Sequence, residues 1–222
     1  MSIFGWLSNK AKKGEVTSAS PVSPNQKIGG DIVRYGLESW WLSEFSAQER
    51  EKIADTYCPM GSSGRPLIEG QAIRQPELHP APFLANLATW VAKPELGDLA
   101  LSIADKAASF KNLPDDLAQS HFMFANLCKV YYRFRDDNAD ALEKAVWACE
   151  QDIALSSELD PRSLGGGVIV SHYCFKQLSI IEEKRGNFER AINLCRDALS
   201  QGWNGDWSKR IARIEKKLGK SL

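Results

Sequence analysis

The chain has 222 residues, of which 43% are hydrophobic and 25% charged, and its 28 basic residues balance its 28 acidic ones. This length suits one medium domain or two small ones, with room for a sizeable core. The balanced charge excludes a global electrostatic attraction to nucleic acid. No apolar run approaches the roughly 18 residues that a membrane-spanning helix needs.

The N-terminal segment, residues 1–13, places apolar side chains ahead of a basic cluster. The apolar residues are Ile3, Phe4, Trp6 and Leu7, and the basic ones are Lys10, Lys12 and Lys13. This order is the reverse of that in a secretory signal peptide, so we expect a cytoplasmic protein. Four interpretations of the segment stay open: contact with an anionic membrane surface, docking into a groove of a partner, a frayed terminus, or packing of Phe4 and Trp6 onto the domain.

The next stretch, residues 14–30, is rich in Ser, Pro, Gly, Thr and Asn and predicts a flexible linker. Apolar residues resume after Asp31 and predict an N-terminal helical extension. Within it, Ser46 and Glu49 have the spacing of a capping box, in which each side chain satisfies a backbone N–H of the other residue. We therefore expect a helix from Ala47 to about Tyr57.

From Pro82 onward the sequence predicts helices separated by short breaks. Pro94 and Pro114 are expected in the first turns of new helices, where proline's missing N–H has no partner to lose. Asp115 and Asp116 would then lie near the positive end of the helix that Pro114 begins. Pro161 is expected to end the helix before it.

Residues 172–203 predict two helices folded back on each other. The turn falls at residues 184–187, where Gly186 can take a left-handed backbone conformation without a steric penalty. Apolar residues recur at helical intervals on both sides of this turn. Three small residues at the predicted crossing would allow the two helix backbones to approach closely: Ser179, Ala191 and Ala198.

This hairpin resembles a tetratricopeptide repeat, a helix pair of 34 residues with an aromatic residue, a leucine and small residues at set positions. The matching residues are Phe175, Leu178, Ser179, Ala191 and Ala198. The chain departs from the pattern at Glu182, where tyrosine is usual, at Cys195, where a large aromatic is preferred, and at Trp203, where proline often ends the repeat. Residues 80–112 and 117–161 match more loosely, and the first of these has Ala100, Ala104 and Ala107 at the family's spacing.

The resemblance implies an all-α fold of antiparallel helix hairpins, stacked as a short right-handed array. The pairs would cover about residues 80–112, 117–161 and 168–202 of a single domain formed by residues 31–222. Residues 206–219 would be a C-terminal capping helix, whose basic face is either solvated or a contact for nucleic acid or acidic lipid. An irregular helical bundle is the alternative to the repeat array.

Catalytic and metal-binding motifs are absent from the sequence. His79, His121 and His172 form no metal-ligand pair, and no nucleophile elbow occurs. The five cysteines are widely spaced without a CxxC motif, so we expect them to pack as small hydrophobic residues. The sequence therefore predicts no enzyme, no metal and no cofactor.

In the resembled family, peptides lie along a groove lined by the first helix of each pair. The corresponding positions here are Phe122, Lys129, Tyr132, Arg133, Tyr173, Lys176 and Lys184. This mixture of aromatic and basic groups suits an acidic or C-terminal peptide. The asparagines of the family's carboxylate-gripping versions are missing, and simple solvation of these side chains is the alternative.

We therefore expect a non-enzymatic protein–protein interaction module or adaptor. The first alternative is a peripheral membrane adaptor tethered by residues 1–13. The second is a helical enzyme or nucleic-acid factor without a visible motif.

Overall fold

A computed structural model describes residues 28–59 and 65–221, and every regular element in these ranges is a helix. The predicted all-α class is thereby confirmed. No helix in the described ranges is long and apolar enough to cross a bilayer. The chain divides after Leu78 into two compact units. The predictions for residues 1–13, and for the linker up to residue 27, lie outside the described residues.

The first unit contains three short helices: α1 (Gly30–Arg34), α2 (Glu38–Glu44) and α3 (Ala47–Thr56). The predicted capping box begins α3, because the Glu49 N–H donates to Ser46 Oγ (3.3 Å) and the Ser46 N–H donates to the Glu49 carboxylate (2.8 Å). The helix that this box predicts is confirmed to within one residue. Fully buried side chains in this unit include Ile32, Trp41, Ile53 and Leu67.

The second unit contains eight helices within its described residues, and they reach from Pro80 to the end of the described chain. They are α4 (Pro80–Val91), α5 (Gly97–Ala108), α6 (Leu117–Arg133), α7 (Ala141–Leu155), α8 (Pro161–Leu164), α9 (Tyr173–Lys184), α10 (Phe188–Ser200) and α11 (Trp207–Ser221). Short 3-10 turns at Pro94–Leu96 and Ser156–Glu158 precede α5 and follow α7.

Consecutive long helices of this unit pack as pairs: α4 with α5, α6 with α7, and α9 with α10. Contacts between pairs run from α4 and α5 to α6, and from α7 to α9. The final helix, α11, packs on α10. The pairs fall within the ranges that the sequence predicts for the three repeat-like units. The repeat-like stacking of these pairs stays a prediction.

Small residues occupy the positions that the sequence assigns to helix crossings. Ala104 and Ala107 of α5 are at most 1% exposed, as are Ala191 and Ala198 of α10. Ser179 of α9 is also fully buried. Because these side chains end at Cβ or Oγ, neighbouring backbones can approach closely, and the predicted burial is confirmed.

Two helix starts differ from the sequence predictions. The helix expected to begin at Pro114 begins at Leu117, because the carboxylate of Asp116 accepts a hydrogen bond from the Ala118 N–H (2.9 Å) and acts as the N-cap. Pro161 does not directly end α7. It begins the short helix α8, which Asp160 caps in the same way by accepting from the Arg162 N–H (3.0 Å).

The turn and the terminal helix follow the predictions. Gly186 adopts φ +80° between α9 and α10, the left-handed conformation that glycine favours. Ile214 of α11 is fully buried against Ala191 and Ile192 of α10. Beside Ile214 on α11, Arg213 and Lys217 both pair with Glu183 of α9, so part of the predicted basic face is neutralised.

Candidate functional site

Helices α6, α7 and α9 each bring one cysteine into a shared interior. These residues are Cys128, Cys149 and Cys174, and each is fully buried. The central helix, α7, packs against both of the others. The Sγ atoms of Cys128 and Cys149 lie 3.1 Å apart, and all three sulfurs lie within 4.8 Å of one another. We call this group the thiol cluster.

The three thiols do not ionise independently. Hydrogen bonds from Cys149, and then from Cys174, lower the pKa of Cys128 below the usual value for a thiol. The hydrogen bond between Cys149 and Cys128 raises the pKa of Cys149, and burial raises the pKa of Cys174. The three thiols therefore titrate as one coupled group, in which hydrogen bonds between the sulfurs favour a single thiolate.

A second polar group, His121, Asp152 and His172, occupies the same helices. Asp152 lies one turn after Cys149 in α7 and is fully buried. Its Oδ1 accepts a hydrogen bond from His121 Nδ1 (2.7 Å), while its Oδ2 lies 3.7 Å from His172 Nδ1. Within the described ranges, Oδ2 has no hydrogen-bond partner. We call these residues the His–Asp–His cluster.

His172 is neutral and serves as the N-cap of α9. Its Nδ1 accepts a hydrogen bond from the Phe175 N–H (3.3 Å), so its proton resides on Nε2, which is buried without a hydrogen-bond partner. Burial, with a smaller contribution from His121, lowers the pKa of His172 to about 4 against the opposing effect of Asp152. At neutral pH the cluster thus contains an uncharged imidazole.

Trp203 covers the His–Asp–His cluster. Its ring lies nearly parallel to that of His121, with centroids 5.8 Å apart and 20° between the planes, and it meets the His172 ring edge to face at 4.6 Å. Trp203 is itself only 3% exposed. Because solvent does not reach the imidazoles or the carboxylate, these groups support the interior and offer no open acid–base site to a substrate.

The predicted groove residues lie on α6 and α9, where Tyr132 and Tyr173 are half-buried and the other five are exposed. We call them the aromatic–basic face: Phe122, Lys129, Tyr132, Arg133, Tyr173, Lys176 and Lys184. The structure joins four of them in pairs between the helices. Lys129 Nζ lies 5.3 Å from the centroid of the Tyr173 ring, and Lys184 Nζ donates to Tyr132 Oη (3.2 Å).

The other three members of this face are exposed side chains without such a link. Phe122 is 50% exposed, which is high for an aromatic ring. The side chains of Arg133 and Lys176 are exposed, and within the described ranges they make no hydrogen bond or ion pair. The candidate membrane-contact residues Ile3, Phe4, Trp6 and Leu7 lie outside the described residues.

From sequence, the cysteines were predicted to pack as small hydrophobic residues. Neither of the two interior clusters was predicted. Part of the signal was available, because Asp152 follows Cys149 by three residues and so shares its helix face. His121 likewise precedes Cys128 by two helical turns. Helical spacing relates residues along one helix only, and the convergence of three helices is a tertiary fact that this spacing does not contain.

No protein-family model matches this chain, and searches of curated proteins and of solved structures find no match either. Function is therefore inferred from the helical architecture and the geometry of these residues.

Proposed function

We propose that this protein is a non-enzymatic interaction module that binds an acidic segment of a partner protein on the aromatic–basic face. The observation that supports this most is the pairing of basic groups with tyrosine rings between α6 and α9. Lys129 contacts Tyr173 and Lys184 contacts Tyr132, so the two helices present one continuous surface of rings and ammonium groups.

These contacts prepare the basic groups for binding. An ammonium group held beside an aromatic ring has less conformational freedom to lose when a carboxylate arrives. The guanidinium of Arg135 also lies over the Tyr132 ring at 4.2 Å, and its charge is paired with Asp136 (3.0 Å). Such an array fits a carboxylate-rich segment, whose groups form charge-assisted hydrogen bonds with Lys and Arg.

Phe122 gives the surface an apolar anchor. Half of its ring is exposed, and aromatic residues surrounded by polar groups often dominate the energetics of protein interfaces. The proposed ligand is therefore an acidic segment with at least one large apolar side chain. Four free cysteines are buried within the described helices, which fits the reducing environment of the cytoplasm as the proposed location.

The proposal is tested by selecting peptides from a random display library on the purified chain. Selected peptides should be enriched in Asp and Glu and should contain a hydrophobic residue. The variant Lys129→Glu, Arg133→Glu, Lys176→Glu should weaken a selected peptide's binding by about 100-fold or more, because each carboxylate of the ligand would meet a like charge. Fluorescence anisotropy at two salt concentrations measures this change.

The matched control reverses three exposed lysines that lie outside the face: Lys111→Glu, Lys209→Glu, Lys216→Glu. It changes the net charge by the same amount and should leave peptide affinity within about threefold of wild type, since screened distant charges contribute little. Selection of peptides without acidic enrichment would contradict the proposal. So would equal losses in the two triple variants, provided that circular dichroism shows both to be folded.

A further inference from the structure

The thiol cluster is more than a set of buried small side chains. Each sulfur comes from a different helix, and two of the sulfurs approach to 3.1 Å. Cys195 of α10 provides an internal contrast, because it is equally buried but packs beside Ser179, outside the cluster. Packing alone therefore explains Cys195, whereas the meeting of three thiols at one point calls for a further reason.

The sulfur donors of the thiol cluster restrict which metal ions it can bind. All three donors are sulfur, which excludes Ca²⁺ and Mg²⁺ because these cations require oxygen ligands. A structural Zn²⁺ site takes four ligands in a tetrahedron, and the group within 4.8 Å supplies three. Soft thiolate ligands also select Cu(I), which is stable with fewer than four ligands.

We propose that Cys128, Cys149 and Cys174 form a buried three-sulfur site for Cu(I). The ligands come from α6, α7 and α9. The bound ion would therefore link three helices that are separate in the sequence. Its role in this proposal is structural, because no sulfur is accessible to a substrate.

Binding would exchange protons for metal. Cu(I) displaces the protons of all three thiols into solvent as it binds, without any change in oxidation state. The apparent affinity should therefore rise with pH. Because all three sulfurs are fully buried, release of the ion to a chelator requires local opening of the interior and should be slow.

The test uses the full chain with the exposed Cys58 replaced by Ala in every sample, so that surface binding is removed. Cu(I) is supplied anaerobically as its acetonitrile complex in competition with bicinchoninate, and the loaded protein is measured by copper K-edge absorption spectroscopy. We expect one ion per chain with three sulfur neighbours. We expect at least about 100-fold weaker Cu(I) binding from each single substitution Cys128→Ala, Cys149→Ala and Cys174→Ala. Loss of a residue that only supports a ligand costs up to about 100-fold, so a larger loss indicates a direct ligand.

The matched control is Cys195→Ala, which removes an equally buried thiol and should keep full stoichiometry and affinity. The proposal is overturned by any of three results: nitrogen or oxygen neighbours in the absorption spectrum, retention of the ion after loss of a cluster cysteine, or displacement of Cu(I) by equimolar Zn²⁺. The spectrum of the protein with all three cluster thiols decides the question even if a variant fails to fold.

Discussion

The side chains buried in the pair α4–α5 and those buried between α6, α7 and α9 are equally shielded from solvent. They differ in polarity. Every buried residue of α4 and α5 is apolar, and Leu87 and Ala104 are typical. The second interior buries Asp152, His172 and three thiols as completely. Apolar side chains therefore suffice to pack a helix pair in this chain. The buried polar groups cost desolvation energy that packing does not require, which points to an additional role.

The apolar half of the comparison is tested by Leu87→Ala. Leu87 is fully buried in α4, so its loss leaves a cavity and should lower the free energy of unfolding by about 2–5 kcal/mol. Urea denaturation measures the change, which should be independent of pH because no titratable group is involved. Asn86→Ala on the exposed side of the same helix should stay within about 0.5 kcal/mol of wild type.

The contribution of the polar interior between α6, α7 and α9 to the free energy of unfolding should instead depend on pH. The pKa of His172 is about 4 in the folded chain and 6.5 in its unfolded reference. Between these values the unfolded chain binds a proton that the folded chain refuses, so stability is retained above pH 6.5 and is lost as pH falls towards 4. The loss attributable to His172 is on the order of 3 kcal/mol.

Urea midpoints measured across this pH window in metal-free protein check the expectation. His172→Asn keeps an N-cap acceptor for α9 and removes the titrating ring, so its stability should fall less steeply with acid than that of wild type. His79, the half-buried N-cap of α4, is the matched position in the apolar pair. If His79→Asn flattens the acid dependence as much as His172→Asn does, the assignment to the buried interior is wrong.

Asp152→Ala should have the next largest effect. It leaves the Nδ1–H of His121 buried without its acceptor and should lower the free energy of unfolding by about 1–3 kcal/mol. A double-mutant cycle with His121→Ala isolates the contribution of the hydrogen bond between His121 and Asp152. The two substitutions should lower the free energy of unfolding by less than the sum of their separate effects. Strict additivity would show that the 2.7 Å contact contributes nothing to stability.

The smallest effect is expected at the connections of the helix pairs. The link between α4 and α5 passes through Pro94, whereas that between α9 and α10 uses Gly186 at φ +80°. Gly186→Ala meets no neighbouring atom, so only the backbone conformation is penalised, by about 1 kcal/mol. Gly219→Ala in α11 meets open space at ordinary φ and should stabilise slightly, as thermal unfolding would show.

Features that depend on neighbours along the chain were predictable from sequence. The capping box at Ser46, the turn at Gly186 and the buried crossing at Ala104 all follow from local spacing or residue size. The start of α6 was misplaced by three residues, because Pro114 favours the first turn of a helix but the side chain of Asp116 caps α6 further along the chain.

The interior clusters were predictable only in part, for a physical reason. Periodicity places Cys149 and Asp152 on one face of α7, but it does not specify which faces of α6 and α9 meet that face. For the surface, the resemblance supplied candidates on both helices, and the contacts of Lys129 and Lys184 with tyrosines of the neighbouring helix show that those candidates adjoin.

The position of Trp203 has a practical consequence. An imidazolium ion quenches the emission of an indole ring beside it, whereas neutral imidazole quenches it far less. Since Trp203 meets the edge of the His172 ring, its fluorescence is a built-in optical signal for the charge on His172. Subtracting the spectrum of Trp203→Phe from that of the unaltered chain would isolate this signal from the emission of the other indoles.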